Sequence, residues 1–318
     1  MNKKICVIGG GRWGKNHIRT LAGLGCLGGI VDADRAGLKA LVEEYDVKGF
    51  TGLEKALEQG YDGFVIATPA ETHYPLGKAL LERGQSVLIE KPLALKSEHA
   101  VELNRIAEEN GAGLMVGHLL LFHPAIRKIK EVLKSGKIGK LHYFYSNRLN
   151  LGTVRTEENV FWSFAPHDIS ILDYLIGAPP VAIEAKGAKF LQDQIFDVTM
   201  TQLTYPGNVH AHIFVSWLHP FKEHRIVLVG SQGMISFEDS SVDKEILYYN
   251  KRIEVVNGQP VKVEQPDEVI EYEKGLPLDE ELKYFIAHLD KKIELANGRT
   301  GLEVVKVLEQ VQELISEK

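Results

Sequence analysis

The hydrophobic and polar positions follow two different patterns along the chain. In the first part, short apolar runs such as Ile5–Ile8 and residues 63–67 (GFVIA) alternate with amphipathic segments such as Arg35–Tyr45. Apolar runs of this length predict strands buried on both faces, and the amphipathic segments between them predict helices. This alternation predicts an α/β domain over residues 1–120, with a doubly wound parallel sheet.

From residue 141 the apolar and polar positions alternate with a period of two. The pattern is clearest in LHYFYSNRLN (141–150), VAIEAKGAKF (181–190), FDVTMTQLTY (196–205) and NVHAHIFVSW (208–217). It predicts a second, α+β domain over residues 121–318, with a large, mostly antiparallel open sheet. We expect helices at residues 124–134 and 168–175 to cover one face of this sheet.

The other face of this sheet would expose a large apolar area in a monomer. Tyr143, Tyr145 and Trp217 lie in the alternating segments and would contribute to that area. Apolar patches of this kind are usually covered by another molecule. We therefore expect a homodimer or homotetramer formed through the sheet of the second domain.

Composition narrows the class of protein. A chain of 318 residues with 44% hydrophobic residues can form two cores. No apolar run is long enough to cross a membrane, and the N-terminal apolar run is too short for a signal peptide, so we expect a cytoplasmic protein without a membrane partner. A net charge of −6 with interspersed signs argues against a nucleic-acid partner. The scattered histidines and two cysteines predict no metal site.

Glycines directly after the first predicted strand indicate a dinucleotide site. Gly9, Gly11 and Gly14 have the spacing G-x-G-x-x-G, in which the glycines allow a tight turn, a close approach to a pyrophosphate and helix packing. A chance glycine turn is the alternative. Asp32 argues against chance, because it ends the next predicted strand, where a carboxylate binds both ribose hydroxyls and repels a 2′-phosphate. The pattern predicts NAD as the cofactor, although Arg35 is a residue type that could accommodate that phosphate.

A second candidate site follows the strand predicted at residues 86–89. Glu90, Lys91 and Pro92 come directly after it, and ligands of open α/β sheets bind beyond the carboxyl ends of the strands. A lysine next to a nicotinamide ring would be partly desolvated and could take part in proton transfer, or stabilise an alkoxide as an ammonium. The alternative is a solvated surface lysine paired with Glu90.

Three motifs together resemble the fingerprints of the Gfo/Idh/MocA oxidoreductase family. They are GGGRWG at residues 9–14, Ala67-Thr68-Pro69 followed by Thr72-His73, and Glu90-Lys91-Pro92-Leu93. The resemblance implies an N-terminal Rossmann domain, a C-terminal domain built on a large open sheet, and a catalytic role for Lys91. The predicted cofactor-binding residues are Gly9, Gly11, Arg12, Trp13, Gly14, Asp32, Thr68, Pro69, Glu90 and Lys91.

The family's third fingerprint is usually an aspartate followed four residues later by a histidine. His167 matches the histidine, but Ser163 stands at the aspartate position. The resemblance therefore implies a catalytic pair of Lys91 and His167, in which His167 accepts the hydroxyl proton while hydride leaves the same carbon for the nicotinamide. The alternative for His167 is a histidine packed at the start of a helix.

The segments NRLNLG (147–152) and ENVFWSFAPHDIS (158–170) are similar to one branch of this family, the sugar-nucleotide 3-dehydrogenases. This similarity implies oxidation of a UDP-linked N-acetylhexosamine at C3, and a partner aminotransferase that converts the 3-keto sugar to a 3-amino sugar. Arginine side chains suit an anionic substrate, although a solvated strand end is the alternative for each. The predicted substrate-binding residues are Arg148, Asn150, Arg155, Asn159, Trp162 and Asp168.

Two other functions remain open at this point. One is a polyol or free-sugar dehydrogenase of the same family, acting on inositol or glucose. The other is a non-catalytic sensor that binds NAD, and Ser163 in place of the usual aspartate favours it. Intact Lys91 and His167 argue against the sensor, because a binding protein has no chemical need for either side chain.

Overall fold

The computed structural model describes residues 3–316, which form two compact units. The first unit contains residues 3–122 and 275–306, and the second contains residues 123–274 and 307–316. The second domain predicted from the sequence, residues 121–318, differs from this division. The segment 275–306 groups with the first unit because its helix Pro277–Ala287 buries Leu282 and Phe285 and packs against the turn Leu119–Phe122.

The first unit is a six-stranded parallel sheet with the strand order β3-β2-β1-β4-β5-β6. This order confirms the predicted Rossmann-type fold. The strands are β1 (Ile5–Ile8), β2 (Leu27–Val31), β3 (Lys48–Phe50), β4 (Gly63–Ile66), β5 (Val87–Glu90) and β6 (Leu114–Gly117). The connecting helices are α1 (Gly14–Gly23), α2 (Arg35–Tyr45), α3 (Leu53–Leu57), α4 (His73–Leu81) and α5 (Ser97–Glu109), with short 3-10 helices at Ala70–Thr72 and Leu119–Phe122.

The second unit is built on an eight-stranded sheet, and among its named strand pairs only β7 and β10 run parallel. This arrangement confirms the predicted mostly antiparallel sheet. Its order is β16-β13-β12-β11-β7-β10-β9-β8. The strands are β7 (Leu141–Leu151), β8 (Ala182–Ala188), β9 (Val198–Tyr205), β10 (Val209–Ser216), β11 (Leu218–Gly230), β12 (Met234–Glu238), β13 (Ile246–Tyr249) and β16 (Glu268–Ile270), and β14 (Lys251–Val256) pairs with β15 (Gln259–Glu264) as a separate hairpin.

Helix α7 (Val160–Ile176) covers one face of this sheet by packing on β7, β9 and β10. Helix α6 (Pro124–Lys134) packs against α7. Two further helices, α8 (Pro277–Ala287) and α9 (Gly298–Ser316), follow later in the described part of the chain. Within residues 3–316, the helices are too short or too polar to cross a membrane.

The prediction that Trp217 contributes to an exposed face of the sheet was wrong. Its side chain is fully buried, and its indole N–H donates to the buried carboxylate of Asp197. Trp217 follows the last residue of β10, so the alternation of the strand no longer determines its side-chain direction. Tyr143 is exposed as expected, and so is Met200 on β9.

Candidate active site

The glycine turn after β1 has the geometry of a dinucleotide cradle. Gly9 has a φ of 102°, and an added Cβ there would lie 2.6 Å from the carbonyl oxygen of Ala67. A Cβ on Gly14 would lie 1.9 Å from the carbonyl oxygen of Gly9, so the protein's own backbone requires both glycines. A Cβ on Gly11 would meet no atom within 4 Å. The middle glycine therefore faces open space, where a pyrophosphate can approach the backbone at the N-terminus of α1.

Asp32 lies beside this turn, at the end of β2. Its Oδ2 accepts a hydrogen bond from the N–H of Gly10 at 2.5 Å, and its Oδ1 accepts one from the N–H of Asp34 at 2.7 Å. These bonds orient a partly exposed carboxylate next to the glycine turn, as ribose recognition requires. Arg12 and Arg35 are exposed near this end of the sheet.

Glu90 ends β5 and connects the glycine turn to Lys91. Its Oε1 accepts hydrogen bonds from the indole N–H of Trp13 and from Nε2 of His17, the latter at 2.7 Å, and its Oε2 accepts the backbone N–H of Lys91 at 3.2 Å. Burial alone would raise the pKa of Glu90, but the bonds from His17 and Trp13 and the charge of Lys91 lower it below its usual value. Glu90 is thus a buried anion beside Lys91.

His17 is a residue of this site that the sequence analysis missed. It lies on the buried face of α1 and is fully buried. The available signal was its position three residues after Gly14, one helical turn beyond the glycine motif, which directs its side chain back toward the turn.

His73 connects the loops that follow β4 and β5. Its Nε2 lies 2.9 Å from the carbonyl oxygen of Thr68, and its Nδ1 lies 2.7 Å from that of Pro92. The Thr68 hydroxyl also contacts the hydroxyl of Thr72 at 2.6 Å. Thr68, Pro69 and Lys91 are therefore held on adjacent loops at the carboxyl edge of the sheet, where the sequence analysis expected the cofactor.

In the second unit, α7 begins earlier than predicted. The predicted start of this helix is residue 168, but the helix starts at Val160. Asn159 is the reason, because its side-chain oxygen accepts the backbone N–H groups of Phe161 and Trp162 and caps the helix. Pro166 consequently lies inside the helix. His167 follows it and is partly exposed.

Arg148 and Asp168 form a buried ion pair. Nε and Nη2 of Arg148 each donate to the carboxylate of Asp168 at 2.9 Å, and the hydroxyl of Ser146 donates to the same carboxylate at 2.7 Å. The side chain of Asp168 is fully buried, and that of Arg148 is 8% exposed. Two predicted substrate-binding residues therefore lie together. Two guanidinium nitrogens of Arg148 donate to Asp168 of the same chain rather than to a ligand.

The remaining predicted substrate residues lie near the C-terminal end of β7, in the segment between β7 and α7, and in the first turn of α7. Asn150 and Trp162 are partly exposed, whereas Arg155 is exposed, and its Nε lies 3.9 Å from Glu158. Each can contact a polar ligand without breaking a buried interaction. Within the described residues, no cluster of histidine, cysteine, aspartate and glutamate side chains could hold a metal ion.

These features are those of an NAD-dependent oxidoreductase. The Rossmann sheet carries a glycine cradle, an aspartate placed to bind a ribose, and a lysine at its carboxyl edge. Two family models match this chain, namely the NAD-binding Rossmann-fold model of the Gfo/Idh/MocA oxidoreductases over residues 3–118 and the Gfo/Idh/MocA C-terminal domain over residues 126–236. The chain belongs to the Gfo/Idh/MocA family of oxidoreductases. This membership favours an enzyme over a non-catalytic sensor.

Relatives that match nearly the whole chain differ in their substrates. UDP-N-acetylglucosamine 3-dehydrogenase of Acidithiobacillus ferrooxidans is 26% identical over 311 residues, which cover 96% of this chain and 95% of the relative. A solved structure of that enzyme matches with a TM-score of 0.87 at 24% identity, covering 99% of this chain and 98% of the other, which shows the shared fold. Inositol 2-dehydrogenase of Rhizobium meliloti is 23% identical, covering 100% of this chain and 98% of the relative.

Proposed function

We propose that this enzyme oxidises the 3-hydroxyl of a UDP-linked N-acetylhexosamine, either UDP-N-acetylglucosamine or its uronate, to the 3-keto sugar. The observation that carries the proposal is the placement of the glycine cradle, Asp32 and Lys91 at one edge of the Rossmann sheet, which supports NAD-dependent oxidation. The similarity to a UDP-N-acetylglucosamine 3-dehydrogenase over 96% of the chain supports the choice of sugar.

The proposed roles of the residues follow from their chemistry. Bound NAD supplies the hydride acceptor, and the side chains of the protein handle the proton and orient the substrate. His167 accepts the proton of the substrate hydroxyl as general base, and Lys91 stabilises the developing alkoxide or shares the proton. The cradle residues, Arg12, Trp13, Thr68 and Pro69 bind the cofactor, and Glu90 orients the backbone of Lys91.

The substrate-binding residues divide into two groups by their partners. Asn150, Arg155 and Trp162 contact the sugar nucleotide in this proposal, because each is at least partly exposed. Arg148 and Asp168 support them as a buried pair, and Asn159 supports them by capping α7.

A substrate comparison tests the proposed function. The enzyme is incubated with NAD and either UDP-N-acetylglucosamine, its uronate, UDP-glucose, inositol or free glucose, and the formation of NADH is followed by absorbance. We expect a kcat/KM for one of the two N-acetylated sugar nucleotides at least about tenfold above that for UDP-glucose, because a site that hydrogen-bonds a substrate amide discriminates against its absence. Turnover of inositol or glucose without turnover of any sugar nucleotide would contradict the proposal.

A polyol or free-sugar dehydrogenase is the second candidate function. The similarity to an inositol 2-dehydrogenase over the whole chain favours it. A polyol or a free sugar carries no anionic group, so this candidate gives Arg155 no role in substrate binding. The substrate comparison above separates the two candidates.

We also propose two partners. A second copy of the chain covers the open face of the eight-stranded sheet and forms a homodimer or homotetramer, since that face exposes Tyr143 and Met200 and carries a stacked pair of rings, Tyr145 and His212, 5.2 Å apart. An aminotransferase consumes the product, because a 3-keto sugar is the substrate from which transamination forms a 3-amino sugar.

A further inference from the structure

A cluster of buried titratable side chains lies behind Lys91 in the first unit. It consists of His17 on α1, Glu90 at the end of β5, His118 directly after β6 and Glu281 on α8; we refer to these four residues as the Glu90 cluster. Helix α8 packs its buried face against α1 and against the turn Leu119–Phe122, which brings Glu281 into the neighbourhood of the other three. The Glu281 side chain has no exposed surface.

Several polar atoms of the Glu90 cluster have no hydrogen-bond partner among the described residues. They are Nδ1 of His17, both ring nitrogens of His118 and both carboxyl oxygens of Glu281. Buried polar atoms are rarely left unpaired, and internal water molecules usually satisfy those that lack a protein partner. The cluster therefore has the properties of an internal water site.

The two carboxyl groups of the cluster have opposite protonation preferences. Burial raises the pKa of Glu281 well above its usual value, and the negative charge of Glu90 raises it further. Burial also lowers the pKa of His118 to about 4, so its imidazole is neutral near pH 7. The charged group that acts on Glu281 is Glu90, and Glu90 is in turn influenced by His17 and the adjacent Lys91. His118 lies within the influence of Glu90 and Lys91.

We propose that water inside the Glu90 cluster joins Glu281 to Glu90, that the two carboxyl groups hold one proton between them, and that Glu281 is thereby a positioning residue for Lys91. A single negative charge then stands beside the lysine, oriented by Trp13 and His17. If Glu90 and Glu281 were both ionised, the second negative charge would stabilise the ammonium form of Lys91 and keep the lysine protonated. The inference rests on the proposed function only for the role of Lys91.

Infrared spectroscopy tests the shared proton without any substrate. Spectra of the wild type, Glu281→Gln and Glu280→Gln are compared at neutral pH in water and in heavy water. Glu280 is the matched control, because it lies on the same helix but pairs with Lys283 at the surface. We expect a protonated-carboxyl carbonyl band in the wild type and in Glu280→Gln that is absent from Glu281→Gln. A wild type without this band, or a Glu281→Gln variant that keeps it, would overturn the proposal.

A second comparison tests the positioning role. Glu281→Met has a similar volume but no hydrogen-bonding group, whereas Glu281→Gln keeps a neutral polar group that can bind the water. We expect the Met variant to have a kcat at least about tenfold below that of the Gln variant, with the same Kd for NAD, because it removes the water that connects Glu281 to Glu90. Equal kcat values would show that Glu281 acts only in packing. If either variant fails to fold, the wild type with ¹³C-labelled glutamate still tests the proposal, because the protonated-carboxyl band must then shift to lower frequency, and a band that does not shift would overturn the proposal.

Discussion

Replacing Lys91 with alanine is expected to lower kcat for sugar-nucleotide oxidation by about 10²- to 10⁴-fold, the usual contribution of a positioned proton-transfer group. The variant should bind NAD with a Kd close to that of the wild type, because the glycine cradle and Asp32 remain in place. Steady-state kinetics give kcat, and quenching of protein fluorescence on titration with NAD gives the Kd.

Lys96→Ala is the control for this prediction. Lys96 is an exposed lysine five residues further along the chain, and its side chain makes no capping bond to α5. It should behave like the wild type in both measurements. Normal turnover by the Lys91 variant would show that the proposed chemistry is wrong, whereas a joint loss of turnover and NAD binding would indicate a cofactor-binding role instead.

Replacing Asp168 with alanine is expected to lower the free energy of unfolding by about 3–5 kcal/mol, because it leaves the buried guanidinium of Arg148 without its partner. The double variant Arg148→Met/Asp168→Leu removes both charges and should lose much less. Denaturant unfolding is measured for the wild type, Asp168→Ala and the double variant, and the single variants Arg148→Met and Asp168→Leu complete the double-mutant cycle that isolates the pair.

The same cycle decides between two roles for these residues. If Asp168→Ala unfolds like the wild type but shows a raised KM for the sugar nucleotide, then the carboxylate contacts substrate and its pairing with Arg148 is secondary. A large loss of stability in the single variant, recovered in the double variant, would establish the pair as structural support for β7 and α7.

Sequence reasoning predicted those parts of the fold and site that depend on residues close together in the chain. The buried runs of the Rossmann strands, the glycine spacing and the position of Asp32 at a strand end are all set within a few residues of chain. The glycine turn is predictable for a steric reason, because a side chain at Gly9 or Gly14 would collide with neighbouring backbone.

The parts that were missed depend on residues brought together by tertiary packing. In the sequence, Glu281 is one polar position on an amphipathic helix. Its burial near Glu90 becomes apparent only when α8 is packed against α1. Arg148 and Asp168 each resembled a ligand-binding group, but two elements distant in the chain pair them with each other. The pattern predicted a helix start at residue 168, whereas the cap at Asn159 begins the helix earlier.

The most direct test of the central claim is a labelled turnover. UDP-N-acetylglucosamine, or its uronate, carrying deuterium at C3 is incubated with the enzyme and NAD, and the reduced cofactor is analysed by mass spectrometry and proton NMR. We expect the deuterium at C4 of the nicotinamide ring and the 3-keto compound as the sugar product. Reduced cofactor without deuterium, formed while the label stays on the sugar, would contradict the claim.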